Sequence, residues 1–344
     1  MSRKPVITAS RWKAGVANSQ NTAVKAVFLG TSTTQGGNAT DHGRRYHEIM
    51  RGKLSRDYNL SRYTKYYNIQ ADQSASYSSK FTYTDGSGSH SFANEGLSLR
   101  TVTLTNGASM SITVTSTAIT LLFVQGSAYG AISMTVDGNT TTLPTDARSG
   151  DHHDGQYTIS GSYGSHTVTV AAPVSGSVKI TGVIADDYGD LSKGIQFYNS
   201  GHGGFSTTDF VGATYLYDRI ASISPQLVFM MFGTNDYGAS MSISTFTSNC
   251  NSIIASVKAV VPNADLVFVC PYRRLDLTAT PSWTTYRAAM ASIAAANNCF
   301  YIDLTDYYPD PASKDSADLI DTDNLHQTDA GHSYMAKLLY SAFV

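Results

Sequence analysis

Five short apolar runs, separated by longer amphipathic stretches, constrain this chain more than any other feature. They are Ala23–Leu29 (AVKAVFL), Ile195–Asn199 (IQFYN), Leu227–Phe232 (LVFMMF), Leu266–Cys270 (LVFVC) and Phe300–Leu304 (FYIDL). A run that is apolar at consecutive positions, and too short for a buried helix, suits a strand covered on both faces. Between the runs the period changes. Thr207–Ile223 sets Phe210, Val211, Leu216, Tyr217 and Ile220 at near-helical spacing, and Ser242–Val260 and Trp283–Ala296 behave alike. Thr328–Phe343 closes the chain as a further helix. Strand–helix alternation predicts an α/β fold built on a doubly wound parallel sheet.

A second texture interrupts this pattern after its first strand–helix unit. From about Ser74 to Asp190 the chain is rich in Ser, Thr, Gly and Tyr, and between Phe81 and Val178 its only Lys or Arg residues are Arg100 and Arg148. Period-two runs recur (LRTVTLT, MSITVTS, AISMTVDG, HTVTVAA, VKITGVI), with turn signals such as Asn106-Gly107 and Asp137-Gly138 between them. That is the pattern of an antiparallel sandwich. No fixed period marks a repeat. The expected organisation is a discontinuous α/β domain, residues 1–73 and 191–344, with an inserted β-sandwich at 74–190.

Composition removes several function classes. The chain of 344 residues is 42% hydrophobic and 15% charged, with a formal net charge of -2. The basic footprint that a phosphate backbone requires is missing, so nucleic acid is not an expected partner. No apolar run approaches the ~18 residues of a membrane-spanning helix, so no membrane partner is expected. The N-terminal residues carry positive charge without an apolar stretch behind them, and no signal peptide is expected. Cys250, Cys270 and Cys299 are too widely spaced for a metal motif or a disulfide framework and read as small core residues.

Four segments, each next to an element end, carry the chemistry. Gly30-Thr31-Ser32-Thr33-Thr34-Gln35-Gly36 follows the first strand. A serine there sits where open α/β sheets bind ligands, before a helix whose positive end faces the same place. Alone it could be only a turn, or a phosphate cradle, although the Lys of a P-loop is missing. Asn199–Ser206 follows the second strand, and its glycines allow a backbone N–H to approach a substrate closely. Gly233-Thr234-Asn235-Asp236 follows the third; Asn235 could cap a helix or donate to an oxyanion. Finally, Asp323 and His326 stand three apart before the last helix, a spacing that can pair a base with its orienting carboxylate. Asp329 and His332 repeat the spacing, but Asp329 reads better as a favourable charge in a first helical turn.

In this order the four segments resemble the SGNH hydrolases, or GDSL esterases, across the whole α/β part. The resemblance implies a three-layer α/β/α, flavodoxin-like SGNH domain. Ser32 would be the nucleophile, His326 the general base and then acid, and Asp323 its orienter. Ser32, Gly204 and Asn235 would form the oxyanion hole, with Gly203 the competitor for the glycine position. His326-Gln327-Thr328-Asp329-Ala330-Gly331 fits the family's last block and favours His326 over His332. Two positions depart from the family pattern: the usual acidic residue before the nucleophile is Thr31, and the proline often found after the histidine is Gln327. No metal or organic cofactor is implied.

The inserted sandwich resembles a carbohydrate-binding module of the kind found in polysaccharide deacetylases, including bacteriophage tail proteins. The expected function is therefore removal of O-acetyl groups from a polysaccharide of capsule or O-antigen type. Two other readings compete: hydrolysis of general short-chain esters or lipids, and a non-catalytic carbohydrate-binding adhesion protein. A virion or extracellular setting and a homo-oligomer (a trimer in a phage tail) go with the first reading. Arg273 is a candidate substrate contact, Trp283 could line the mouth, and Tyr129, Tyr157 and Tyr163 could stack on sugars. Asp151-His152-His153-Asp154 resembles a metal cluster but reads better as a solvated loop. Since all four blocks lie outside the insert, the insert is expected to select polymer rather than to perform chemistry.

Overall fold

The computed structural model describes residues 10–60, 63–69, 80–144, 146–189, 191–308 and 316–343. Elements run in the order α1 (Ser10–Ala17), β1 (Val24–Gly30), α2 (Ser32–Gln35), α3 (Tyr46–Asp57) and β2 (Thr64–Asn68). The strands β3 (Thr82–Thr84), β4 (Ser89–Ala93), β5 (Thr101–Thr105), β6 (Ser109–Gln125), β7 (Ile132–Val136), β8 (Asn139–Leu143), β9 (His152–Ala171) and β10 (Ser177–Asp186) follow. The chain then alternates again: β11 (Ile195–Gly201), α4 (Thr207–Phe210), α5 (Thr214–Ile223), β12 (Leu227–Met231), α6 (Thr234–Gly238), α7 (Ile243–Val260), β13 (Asp265–Cys270), α8 (Trp283–Ala296), β14 (Phe300–Asp303), α9 (Ser316–Leu319) and α10 (Asp329–Phe343).

β11-β1-β12-β13-β14 form one sheet in that order, with every pair parallel. The five apolar runs are its strands. Alternate residues of β1 feed two different cores. Val24, Ala26 and Phe28 pack with Trp12, Tyr46, Leu54, Leu339 and Phe343 from α1, α3 and α10. Val27 and Leu29 pack with Leu216, Ile220, Phe246, Ile253, Met290 and Ile293 from α5, α7 and α8. Helices on both faces explain why β12 is buried at all five positions and shows no polar alternation. The doubly wound expectation holds. Thr207–Ile223 is not one helix: the chain breaks at Gly212, whose φ of +75° is left-handed, into α4 and α5.

Nine strands form the second, antiparallel sheet, along the path β4-β5-β10-β6-β9-β7-β8 with β2 on β10 and β3 on β6. It curls around a core of its own that includes Val102, Leu104, Ile112, Leu121, Ile132, Met134, Val168, Val170 and Ile180. Two of its strands are long, 17 residues in β6 and 20 in β9, and register shifts at Ser116/Ala118 and Phe123/Gln125 bend the pair. Antiparallel pairing already includes β2, upstream of residue 74. Residues 73 and 74 and residue 190, which mark the expected limits of the insert, lie outside the described residues. Tyr66, Leu97, Leu99, Leu122 and Ile184 leave the antiparallel sheet's own core and join the one formed with α5, α7 and α8.

Candidate active site

Sheet register brings the first three segments together. Gly30, the last residue of β1, is level with Gly201 at the end of β11 and Met231 at the end of β12. The loops that follow therefore leave from one level of the sheet, at its carboxyl edge, where the strand order reverses. Ser32 opens α2, so its N–H has no acceptor within that helix. The β11 loop lies close against α2: a Cβ on Gly201 would stand 2.1 Å from the Gln35 nitrogen, so only glycine fits.

The fourth segment arrives from the other end of the chain. Asp323 Oδ1 accepts the N–H groups of Leu325 (2.9 Å) and His326 (2.8 Å), which folds the turn that carries the imidazole. Its other oxygen, Oδ2, lies 2.6 Å from His326 Nδ1. A carboxylate only accepts, so Nδ1 carries the proton and Nε2 is left as an acceptor. Nε2 is 2.8 Å from Ser32 Oγ, completing a serine–histidine–aspartate relay between residues 294 apart in sequence. Burial pushes the Asp323 carboxyl up, but the hydrogen bonds from His326 and Leu325 outweigh it and hold it below its ordinary value. Asn38, in a left-handed conformation, donates to both Asp321 (2.8 Å) and Asp323 (3.1 Å) and ties the turn to the loop after α2.

The competing pair does not form a relay. Asp329 accepts from the backbone N–H (3.0 Å) and hydroxyl (2.5 Å) of Thr40 and from Arg44 (3.1 Å). His332 is fully buried, donates to the Gly37 carbonyl at 3.1 Å and stacks on Tyr46. Burial lowers its pKa to about 4, so it stays neutral.

The potential oxyanion donors lie on the loops after β11 and β12, which leave the sheet level with the end of β1. The Gly203 N–H is already used, donating to Gln35 Oε1 at 2.5 Å. Gly204, at φ +79° and exposed, has no such partner among the described residues, which separates the two glycines that sequence left close. Asn235 donates one amide hydrogen to the Phe205 carbonyl at 2.8 Å and keeps a second. Behind it, Asp236 accepts from Thr207 N (2.9 Å), Thr207 Oγ1 (2.6 Å) and Gly233 N (3.2 Å), fastening α4 to the β12 loop. A relay that can deprotonate a hydroxyl, with N–H donors on the adjoining loops, suits attack on an acyl carbon.

Other candidates are placed as follows. Arg273 is exposed beyond β13 and has no partner among the described residues, whereas Arg274 pairs with Asp276 at 2.7 Å. Trp283 is buried against Tyr237 and Tyr286 and does not line a mouth. Tyr157 and Tyr163 are exposed on β9, while the Tyr129 hydroxyl donates to Asp151 at 2.8 Å. The Asp151–Asp154 segment is not simply solvated: His153 is buried, 3.4 Å from Glu95. Glu95, Asp151 and His153 could present ligand atoms within 4.8 Å of one another. The Lys179 ammonium already supplies the positive charge there, 3.0 Å from Glu95 and 2.7 Å from Asp151.

The inserted region does not stand apart from the site. The Leu97 carbonyl accepts from the buried Ser200 hydroxyl on β11, and the Arg100 guanidinium meets His202 at 2.6 Å. Gln35, Asn38, Arg100 and His202 were not singled out from sequence. Their partners lie up to 285 residues away, and no local spacing signals them.

The GDSL-like lipase/acylhydrolase family profile matches residues 164–334. Over 97% of this chain and 96% of its own length, a peptidoglycan O-acetylesterase has the same fold, with a TM-score of 0.70 at 15% identity. Two carbohydrate esterases of family 2 are less similar. One, from Myceliophthora fergusii, has a TM-score of 0.36 at 14% identity, covering 74% of this chain and 98% of its own. The other, from Clostridium thermocellum, has 0.35 at 13%, covering 76% and 97%, and scores this low carry no argument. No curated protein is significantly similar to the chain in sequence. Sheet order and profile together define a carboxylic ester hydrolase of the doubly wound α/β class. The chain resembles the SGNH hydrolases, the GDSL-like acylhydrolases, whose profile covers just under half of it, and it shares its fold with a peptidoglycan O-acetylesterase.

Proposed function

We propose that the chain removes O-acetyl groups from a polysaccharide through an acyl-enzyme on Ser32. The observation that carries this reading is the unbroken chain Asp323–His326–Ser32 at the sheet's carboxyl edge, with the Gly204 N–H and the Asn235 amide on adjoining loops. Ser32 Oγ attacks the acetyl carbon as its proton passes to His326 Nε2. The tetrahedral oxyanion is received by the N–H groups of Ser32 and Gly204 and by the free Asn235 amide hydrogen. Donors of this kind are worth about 3 kcal/mol each in acyl transfer. Collapse expels the sugar oxygen, which takes the proton from His326. Water then attacks the acetyl-serine by the same route, releasing acetate and restoring Ser32. The imidazolium formed in each half is stabilised by Asp323. None of these steps calls on a metal or organic cofactor.

The substrate class is inferred from the antiparallel sheet, which packs against the loop of the site, and from the shared fold with a peptidoglycan O-acetylesterase over nearly the whole chain. A capsule, an O-antigen or a cell-wall glycan fits this chemistry. Neither the geometry nor the relatives lend support to a phage-tail setting or a trimer, and the proposal does not include them. Acetate release from a panel of acetylated bacterial polysaccharides, together with p-nitrophenyl acetate and a long-chain ester, tests it. We expect turnover of the small acetyl ester and of at least one polymer, with the long-chain ester slower by about 100-fold, the discrimination that one well-shaped pocket can supply. A preference for the long chain, or no acetate from any polymer, would overturn the substrate assignment.

A further inference from the structure

Gly204 has nothing of its own to hold its N–H in one direction. Its φ is +79°, it has no side chain, and a Cβ built on it would meet no atom within 4 Å. The hold comes from its neighbours. Gly203 C=O and Gly204 N–H belong to one planar trans peptide and point in opposite directions. Anchoring that carbonyl therefore aims the N–H. His202 does so: its Nδ1 is 2.8 Å from the Gly203 oxygen, and its ring is buried and stacked on Phe205 with centroids 3.5 Å apart. The Phe205 carbonyl is in turn tied to Asn235, which supplies the side-chain donor of the proposed hole.

Nδ1 can donate to a carbonyl only if it bears the ring proton. Arg100, which directly precedes β5, decides this. Its Nη2 lies 2.6 Å from His202 Nε2, and a guanidinium can only donate, so Nε2 is the acceptor and the proton belongs to Nδ1. We propose that Arg100, in the loop that leads into β5, is a positioning residue for the oxyanion hole: it sets the tautomer of His202, which through the Gly203 carbonyl aims the Gly204 N–H at the reacting group. Burial, with the Arg100 charge adding to it, lowers the His202 pKa to about 4, so the ring is neutral where an esterase works. This inference rests on the esterase reading above and explains why part of the insert reaches the site.

Four substitutions and one spectroscopic measurement test it. In Arg100→Met, kcat for p-nitrophenyl acetate should fall by about 10- to 100-fold with KM within about threefold. A misaimed oxyanion donor weakens the transition state more than substrate binding, and by less than outright removal. Arg100→Lys, which can still donate to Nε2, should recover most of the loss. His202→Asn places an amide N–H near the position of Nδ1 and should retain more activity than His202→Leu. Histidine ¹⁵N shifts of the wild type should show His202 protonated at Nδ1 only, and Arg100→Met should show a tautomer mixture. Wild-type kcat in folded Arg100→Met, or a wild-type ring protonated at Nε2, would overturn the proposal. If Arg100→Met does not fold, the lysine variant and the His202 pair decide. Wild-type protein inert toward every ester would instead sink the esterase reading, whereas the nitrogen shifts still report the hold of Arg100 on the ring.

Discussion

At the scale of residues, Asp323 performs two tasks with one carboxylate. Oδ1 folds the turn and Oδ2 orients the imidazole, so removing the charge and removing the shape can be told apart. Asp323→Asn keeps the shape but offers an amide where His326 Nδ1 needs an acceptor. Turnover should fall by about 10⁴-fold, the scale seen when a triad histidine loses its tautomer, with KM little changed. Asp329→Asn loosens only the contact with Thr40 and Arg44 and should cost less than tenfold. Steady-state kinetics on one acetyl ester checks both, and the reverse order of effects would assign the base to His332. Ser32, Asn235, Asp323 and His326 were legible because each lies in a short segment beside a strand end or before a helix. Gln35, Asn38, Arg100 and His202 were not, because what defines them is a partner brought close only by folding. His202 lay within a segment already under scrutiny, yet nothing in Asn199–Ser206 signals an arginine 102 residues away.

At the scale of elements, the parallel strands were legible and the antiparallel ones only partly. A strand buried on both faces, such as β12, must be apolar throughout, and no helix covers only five residues of continuous apolar sequence. In β6 the alternation of buried and less buried positions runs from Ser109 across the bulge to Ala118, while the facing stretch of β9, 160–163, is exposed throughout. A sequence of period-two runs cannot distinguish such a bulge from a break between two strands, so these two read as several short ones. The split of Thr207–Ile223 into α4 and α5 has the same kind of cause. Its apolar spacing stays near-helical across Gly212, and only the backbone conformation of that glycine reveals the break. The placement of the four segments was the part of the site that elements alone determine. Level strand ends at Gly30, Gly201 and Met231 make three separate loops into one surface.

At the scale of the whole molecule, the two sheets are joined through the core that Leu97 and Leu99 share with α5, α7 and α8 and through the Arg100–His202 contact. That junction includes one of several buried histidines that set how the protein responds to acid. His332 and His202 are lowered by burial to about 4, and burial holds His42 and His47 well below their ordinary value. The unfolded chain binds protons at these rings near pH 6.5 and the folded chain does not, so their contribution is present above 6.5 and is lost as pH falls toward 4. For His332 and His202 the loss by pH 5 is on the order of 2 kcal/mol each. Asp187 and Asp236, raised by burial, act in the opposite sense at the acid end. Calorimetry should find a lower thermal midpoint at pH 5 than at pH 7, and an equal or higher one would contradict the neutral, buried assignment. The reading of the molecule as a serine esterase meets its plainest test in Ser32→Ala. The side chain is small and buried, and its hydroxyl is bonded to His326, so the variant should fold with a midpoint within a few degrees of wild type. Its kcat for p-nitrophenyl acetate should be lower by about 10⁴-fold or more, as when other serine hydrolases lose their nucleophile. Turnover within tenfold of wild type would contradict the assignment of Ser32 and with it the mechanism.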